Sequence, residues 1–194
     1  MAKITVNMSV SLDGVIQAPG RQDEDTRGGF NLGGWATRYY DPMMFQKATE
    51  GMAGQPALLF GRRTYEDFFK VWPSRTDNPF TEVLDNSQKF VASRTLTEPL
   101  PWINSMLLKG DAGDSVASLK KESDKDMVIL GSASLVRSLL DHHLIDELTL
   151  LIHPVVLGSG QRLFPENGPF AALDLTDTKT SSTGVIIATY SSKS

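Results

Sequence analysis

The sequence predicts an α/β protein in which short buried strands alternate with helices around an open sheet. Several apolar runs of four to eight residues are followed directly by small or basic residues and then by a helical pattern. The clearest unit spans residues 127–152, where an apolar run leads into a turn of small residues, a helix from Leu135 to about His142, and a second apolar run from Ile145 to Ile152. Such a turn in an α/β protein is the usual seat of a phosphate group.

The first part of the chain predicts a strand, a long loop and a helix. Ile4 to Leu12 is rich in β-branched residues, as strands are. Residues 14–40 carry six glycines among charges and are longer than a connection needs, which is typical of a lid or a binding wall. Asp41-Pro42 is a good helix start, with Asp as N-cap and Pro in the first turn, and Gly51 and Gly54 end that helix.

Three strands end in small or polar residues. The strand at 57–60 precedes Gly61-Arg62-Arg63-Thr64 and a helix to about Phe69, the strand at 89–92 precedes Ser93-Arg94-Thr95, and the strand at 127–130 precedes Gly131-Ser132-Ala133-Ser134, whose hydroxyls can also cap the following helix. In an open α/β sheet these exits form one long crevice at the carboxyl edge. A single phosphate needs one exit, whereas a dinucleotide with an extra phosphate would occupy all three.

Weaker patterns complete the element list. We predict one helical turn at 80–84, a strand at 105–108, a solvent-facing helix at 115–121, and two closing strands at 173–179 and 183–190 that are joined around Ser181-Ser182.

Length and composition restrict the class of protein. The 194 residues carry no Pro/Gly/Ser-rich linker, so we expect a single domain over 1–194. A net charge of -4 argues against nucleic acid or an anionic membrane as the main partner, and the absence of cysteine excludes disulfides and thiolate chemistry. The N-terminus has no signal-peptide pattern and no apolar run approaches the ~18 residues of a membrane span, so we expect a cytoplasmic protein.

Four segments together resemble the dihydrofolate reductase fold, and specifically its bacterial branch related to the reductase domain of riboflavin biosynthesis, the RibD C-terminal-like proteins. These segments are SVSLDGVI, ALLFGRRTYEDF, FVASRTL and VILGSAS. The resemblance covers nearly the whole chain. It implies a three-layer α/β/α sandwich with a mostly parallel central sheet and antiparallel closing strands, NADPH as hydride donor, and a pteridine or pyrimidine-like substrate.

The resemblance assigns the cofactor to the three strand exits. Residues 62–64 fall on the family's pyrophosphate and 2′-phosphate contacts, residues 93–94 on its adenosine-phosphate loop, and residues 131–135 on its glycine-rich turn. Adjacent arginines at a helix start oppose the helix dipole unless an anion binds there, although a plain helix start with two exposed arginines is the alternative. For residues 131–134 the alternative is tight packing of helix on strand, which also needs small residues. The expected cofactor-binding residues are Gly61, Arg62, Arg63, Thr64, Ser93, Arg94, Gly131, Ser132, Ala133, Ser134 and Leu135.

Four further residues are candidates at the substrate. In the reductases a carboxylate on the helix that corresponds to the one headed by Asp41 binds and helps to protonate the heterocycle, although Asp before Pro is also a routine N-cap. Asp13 either holds its own turn or faces the substrate. Trp35 and Phe45 either stack on a planar ring or belong to the core.

The resulting prediction is an NADPH-dependent reductase of a small planar heterocycle. The alternative is a nucleotide-binding module without turnover, a sensor or interaction protein, which is favoured by Leu151 at the position of the family's supporting threonine. No histidine has metal-ligand company, so no metal site is predicted. We expect a homodimer, because the closing strands at 173–190 would otherwise leave an exposed sheet edge and are used for pairing in relatives.

Overall fold

The protein is described by a computed structural model over residues 1–168 and 170–192, with the side chain of Phe45 left out. The strands are β1 (Ile4–Ser11), β2 (Ala57–Gly61), β3 (Lys89–Ala92), β4 (Ser105–Leu108), β5 (Met127–Leu130), β6 (Glu147–His153), β7 (Leu173–Thr180) and β8 (Ile186–Ser192). The helices are α1 (Pro42–Met52), α2 (Arg62–Val71), α3 (Phe80–Asn86), α4 (Ala112–Glu122) and α5 (Ala133–Asp141), with short 3₁₀ turns at Arg27–Gly29 and Thr37–Tyr39.

All eight strands form one sheet in the order β4-β3-β2-β5-β1-β6-β8-β7. The first six strands in this order are parallel, whereas β8 pairs antiparallel with β6, and β7 pairs antiparallel with β8. The mostly parallel sheet with antiparallel closing strands is therefore confirmed.

Helices cover both faces of the sheet, which makes three layers. Alternate residues of β2 point to opposite faces. Leu59 packs into a core that includes Val136 and Leu139 of α5, while Leu58 and Phe60 pack into a second core with residues of α2 and α3. The α/β/α sandwich is confirmed. Because a core covers each face of the parallel strands, these strands are near-continuous apolar runs in the sequence.

Several element boundaries differ from the predicted ones. Helix α4 starts at Ala112 rather than near Ser115, because the Asp111 carboxylate accepts a hydrogen bond from Gly113 N at 2.8 Å and caps an extra turn. Helix α5 starts two residues earlier than predicted, and α3 continues to Asn86. Polar residues at these helix starts fit the first turn, which the apolar pattern alone does not reveal.

The sheet order brings three strand exits together. Strands β3, β2 and β5 are neighbours, and β1 lies directly beside β5. The segment 14–40, which follows β1, is anchored by its own apolar cluster of Val15, Ala18, Phe30 and Trp35. Its backbone also pairs at Val15 with Arg162. The crevice predicted at the carboxyl edge therefore has a floor of strand ends and a wall formed by this segment. Among the helices that the structure describes, we find none long and apolar enough to cross a membrane.

Candidate functional site

A cavity of about 800 Å³ runs along the carboxyl ends of β5, β2 and β3. Every residue expected to bind the cofactor lines it. These residues are Gly61, Arg62, Arg63, Thr64, Ser93, Arg94, Gly131, Ser132, Ala133, Ser134 and Leu135. The fold therefore brings the three predicted exits into one crevice long enough for an extended ligand.

Hydrogen bonds join the exits of β2 and β5. Gly61 N donates to the Ser132 hydroxyl at 3.1 Å, and Ser132 N donates to the Thr64 hydroxyl at 3.1 Å. Ser132 has φ 55°, a left-handed conformation that costs a non-glycine residue about 1–2 kcal/mol. The prediction that Ser132 caps α5 through its hydroxyl is wrong, because that hydroxyl is held by Gly61 and makes no bond to the helix. Its side chain instead fixes two strand exits relative to each other.

The helices that leave these exits begin without side-chain caps. Neither α2 nor α5 has a capping side chain or an acidic residue in its first turn, whereas α1 and α4 begin with the capping aspartates Asp41 and Asp111. The first N–H groups of a helix need partners and carry the positive end of its dipole. Two uncapped helix starts on one crevice form a site for anionic groups.

The arginines at the crevice differ in their partners. Arg62 lies 3.5 Å from Glu66 on the same helix. Within the described residues, neither Arg63 nor Arg94 makes an ion pair, and both are exposed. The exit of β3 is shaped by the Ser93 hydroxyl, which accepts bonds from the backbone N–H groups of residues 95 and 96, each at 3.1 Å. Arg63 and Arg94 are therefore free to meet a phosphate.

Asp41 does not line this crevice. It is buried, and its carboxylate accepts hydrogen bonds from Met43 N at 2.8 Å, from Ser182 N at 2.9 Å and from the Ser182 hydroxyl. These bonds lower the pKa of Asp41, the Ser182 hydroxyl contributing most. A carboxyl group that donates a proton near neutral pH needs a raised pKa, not a lowered one. The geometry supports the N-cap alternative, in which Asp41 also ties α1 to the β7–β8 turn, so its catalytic role remains a prediction without structural support.

Asp13 likewise holds local structure. It accepts hydrogen bonds from the Ser11 hydroxyl at 2.7 Å, Leu157 N at 3.0 Å and Gly158 N at 2.8 Å. These bonds, led by that of Ser11, lower the pKa of Asp13 to about 2. Asp13 does not line the crevice, which favours the turn-holding alternative. Asp13 thus joins the turn at residues 11–14 to the segment that follows β6.

Trp35 belongs to the core of the 14–40 segment and does not line the crevice. Its Nε1 donates to the Gln17 carbonyl at 2.8 Å, and its ring meets His153 edge-on at 5.2 Å between centroids. The side chain of Phe45 lies outside the described part of the structure. Of the predicted substrate residues whose side chains are described, Asp13 and Trp35, neither lines the crevice.

Sequence reasoning missed other residues that do line the crevice. Arg21 reaches from the 14–40 segment to Asp67 on α2, with 2.5 Å between Nη2 and Oδ1. Trp72 also lines the crevice, and the guanidinium of Arg75 lies 5.2 Å from its ring centroid. The loop length indicated a binding wall, but no pattern indicated which of its charges meets α2.

The fold and the crevice define a protein of dihydrofolate reductase-like architecture, and comparison with known proteins gives the family. Residues 2–187 match the family described as RibD C-terminal domain. YyaP of Bacillus subtilis (strain 168) is 30% identical over 196 residues, covering 97% of this chain and 94% of YyaP. YwjB of the same organism is 32% identical over 127 residues, covering 63% of this chain and 66% of YwjB. The chain belongs to the RibD C-terminal domain family.

Solved structures share the fold at low sequence identity. A pyrimidine reductase-like protein from Corynebacterium diphtheriae matches with a TM-score of 0.65 at 14% identity, covering 100% of this chain and 92% of the other. RibD of Acinetobacter baumannii matches with a TM-score of 0.63 at 16% identity, covering 100% of this chain and 58% of RibD. Dihydrofolate reductase from Enterococcus faecalis, solved with NADP(H), matches with a TM-score of 0.61 at 15% identity, covering 99% and 97%. These matches show the fold.

Proposed function

We propose that this protein is an NADPH-dependent oxidoreductase that reduces a small planar heterocycle of the pteridine or pyrimidine class. One observation carries the proposal, namely the convergence on a single crevice of two uncapped helix starts and of two arginines that form no ion pair with any described residue. That combination suits a dinucleotide with an extra phosphate better than a ligand with one phosphate. The reductase names of its structural relatives agree with it.

The chain's own residues fit such a cofactor. The N–H groups at the starts of α2 and α5 would receive the diphosphate, and Arg63 and Arg94 would pair with the 2′-phosphate. The bound cofactor supplies a hydride from its nicotinamide ring. The contacts between Ser132 and the β2 exit keep the two helix starts in place before binding, so little ordering is needed when the ligand arrives.

The crevice also offers surfaces for a flat ring. Phe68, Val71 and Trp72 line it from α2 and its end, and the 14–40 segment lines the opposite wall with Ile16 and Ala18. Aromatic and apolar side chains with a few polar groups are the usual lining of a small-molecule site. This lining supports a planar, partly polar substrate.

The test is oxidation of NADPH in the presence of a panel of pteridines, aminopyrimidines and their ribityl derivatives. The proposal expects at least one of these compounds to accelerate the loss of nicotinamide absorbance in proportion to protein concentration. A protein that binds NADPH tightly but oxidises it with none of them would contradict the reductase and support the alternative below.

The second candidate is a nucleotide-binding module without turnover. It is favoured by Asp41, the carboxylate expected to protonate the substrate, because its side chain caps α1 and stays outside the crevice. In this alternative the crevice would bind the dinucleotide and pass the binding signal to a partner.

We infer in addition that the protein is a homodimer that uses its β7 edge. Every residue of β7 except Leu173 is exposed, and Leu175 is 56% exposed. Unprotected edge strands are ready to pair with another chain, and a two-fold axis lets one edge pair with itself.

A further inference from the structure

Four carboxylates line the crevice, and three of them have a structural partner. The four are Glu24, Asp25, Asp67 and Asp111. Asp25 is ion-paired with Arg27, Asp67 is ion-paired with Arg21, and Asp111 caps α4. In the part of the chain that the structure describes, Glu24 forms no ion pair and caps no helix.

The Glu24 carboxyl group is anchored through one oxygen. Oε2 accepts hydrogen bonds from Gly20 N at 2.7 Å and Arg21 N at 3.1 Å. Among the described residues, no hydrogen-bond partner of Oε1 is found. The side chain is only partly exposed and its residue lines the crevice. A carboxyl group held at one oxygen, with the other free beside a ligand cavity, has the geometry of a group that can carry a proton to a ligand.

The charges around Glu24 favour its protonated form. Burial raises the pKa of Glu24, and the facing carboxylate of Asp67 on α2 acts in the same direction. The two backbone hydrogen bonds and the positive charge of Arg21 act against this shift without cancelling it. Arg21 and Asp67 are paired with each other at 2.5 Å and oppose each other in their effect on Glu24, so burial is the main cause of the raised pKa. A ligand that excludes water and brings phosphates to the crevice would raise the pKa further.

Glu24 lies in the wall of the crevice that follows β1. Its segment leaves β1, which lies beyond β5 from the exits of β2 and β3. The contact between Arg21 and Asp67 holds the turn at residues 20–24 against α2. Asp67 is three residues after Thr64, about 4.5 Å along the helix axis. The turn that carries Glu24 is therefore held beside α2, whereas Ser93 and Arg94 follow β3, which β5 and β2 separate from β1 in the sheet.

We propose that Glu24 donates the proton that completes the reduction, an assignment that rests on the reductase function proposed above. A hydride adds to the electron-poor carbon of a substrate C=N bond, and NADPH becomes NADP⁺. The π electrons of that bond move to the nitrogen, which takes the proton of the Glu24 carboxyl group. The resulting carboxylate is stabilised by the N–H groups of Gly20 and Arg21 and regains a proton from solvent.

The competing role is structural, because the same carboxyl group holds the turn at residues 20–24. Glu24→Gln separates the two roles, since the amide oxygen still accepts from Gly20 and Arg21 but the side chain has no acidic proton to give. Glu122→Gln is the matched control, because it makes the same change at an exposed carboxylate at the end of α4, outside the crevice.

The first readout needs no substrate. Infrared difference spectra of the NADPH-saturated protein, wild type minus Glu24→Gln, isolate the carboxyl band of Glu24. We expect this band to titrate above the ordinary glutamate range and higher than in the free protein. A Glu24 that is fully ionised in the ordinary range with NADPH bound would overturn the assignment.

The second readout uses turnover of the substrate found with the panel. We expect Glu24→Gln to lower kcat on the order of 10²-fold, to leave NADPH affinity unchanged and to remove the fall of kcat at high pH, while Glu122→Gln changes none of these. A Glu24→Gln protein with the wild-type rate and pH profile would overturn the assignment. Failure of the proposed function looks different: wild-type protein that does not bind NADPH, or binds it without turnover, removes the reductase and the assignment with it.

Discussion

The hydroxyl of Thr64 accepts a hydrogen bond from the backbone N–H of Ser132 at 3.1 Å. This contact links the first turn of α2 to the turn before α5, across a sequence separation of 68 residues. Both helix starts lack side-chain caps, so their first N–H groups are free. The link therefore fixes the relative position of two sets of free N–H groups. A dinucleotide would meet a preformed site rather than one it must assemble.

Removal of this link should weaken cofactor binding more than it changes the fold. Thr64→Val keeps the shape of the side chain and removes the acceptor, and Ser132→Ala removes the acceptor for Gly61 N. We expect each change to weaken NADPH binding by about 1 kcal/mol, or roughly fivefold. The double variant should lose less than the sum, because the two contacts belong to one turn. Calorimetric titration of NADPH into wild type, both single variants and the double variant measures the coupling, and Thr97→Val, at an exposed residue outside the crevice, is the control. Full additivity would show that the contacts act independently.

The arginines should contribute unequally to cofactor choice. We expect Arg63→Ala and Arg94→Ala to weaken NADPH binding roughly tenfold each and to leave NADH almost unaffected, because each removes a charge-assisted contact to the 2′-phosphate. Arg62→Ala should have a smaller effect, since Arg62 already lies 3.5 Å from Glu66. Lys70→Ala, on the same helix but outside the crevice, is the matched control. An equal loss of NADPH and NADH affinity would place these arginines away from the 2′-phosphate.

The location of the site could be predicted from the sequence because it follows from local chemistry. Apolar runs followed by Gly61-Arg62-Arg63 or by Ser93-Arg94 mark strands that end in binding turns, and parallel strands place such turns on one edge. Local patterns were sufficient here because neighbouring strands in the sheet keep the same direction.

The roles of the individual carboxylates could not be predicted in this way. Asp41 is held by Ser182, 141 residues further along the chain, and this partner decides that its carboxylate faces the β7–β8 turn. Burial raises the pKa of Glu24, and Asp67, which only the folded contact with α2 brings near, acts in the same direction. Lys89 looks like an exposed strand start, yet it is fully buried with its ammonium bonded to the carbonyls of residues 85, 87 and 103.

Asp41 should prove to be a stabilising residue. In Asp41→Asn the amide oxygen can still accept the hydrogen bond from Met43 N. The amide NH₂ group would then face the Ser182 groups, which donate to the carboxylate in the wild type. We expect a loss of about 1–3 kcal/mol in the free energy of unfolding, with NADPH affinity and reductase rate unchanged below the unfolding transition. Urea denaturation and turnover measured together check this. A rate reduced by one to two orders of magnitude in a stable variant would return Asp41 to the catalytic role.

His153 should make stability depend on pH. Its ring is fully buried, neither ring nitrogen has a partner within the described residues, and burial lowers the pKa of His153 to about 4 from the ordinary 6.5. Between these values the unfolded chain binds a proton that the native protein does not, so the free energy of unfolding falls as pH drops through that window. The full shift amounts to about 3 kcal/mol.

The measurement is urea denaturation across this pH window for wild type and His153→Phe. The phenylalanine ring keeps the contact with Trp35 and does not titrate, so the variant should lose most of the pH dependence. His143→Asn, an exposed change at a residue with positive φ that asparagine tolerates, should keep it. The same slope in wild type and His153→Phe would assign the dependence to other groups.

The two edges of the sheet should differ in self-association. We expect light scattering to give twice the chain mass of 21.3 kDa for the wild type. Leu175→Lys on β7 should shift the protein toward the monomer, because it places a charge on the proposed interface. Met106→Lys on β4, the opposite edge, is the control, since Met106 is similarly exposed at 50%. A wild-type mass of one chain, or dissociation by Met106→Lys alone, would contradict the β7 interface.

The most direct test of the account is a calorimetric titration of the wild-type protein with NADPH and with NADH under the same buffer and salt. The two cofactors differ only by the 2′-phosphate, and two charge-assisted contacts of ~1.5 kcal/mol each, from Arg63 and Arg94, correspond to a preference on the order of a hundredfold. We predict that NADPH binds about a hundred times more tightly than NADH. Equal affinities, or binding of neither cofactor, would contradict the assignment of the crevice.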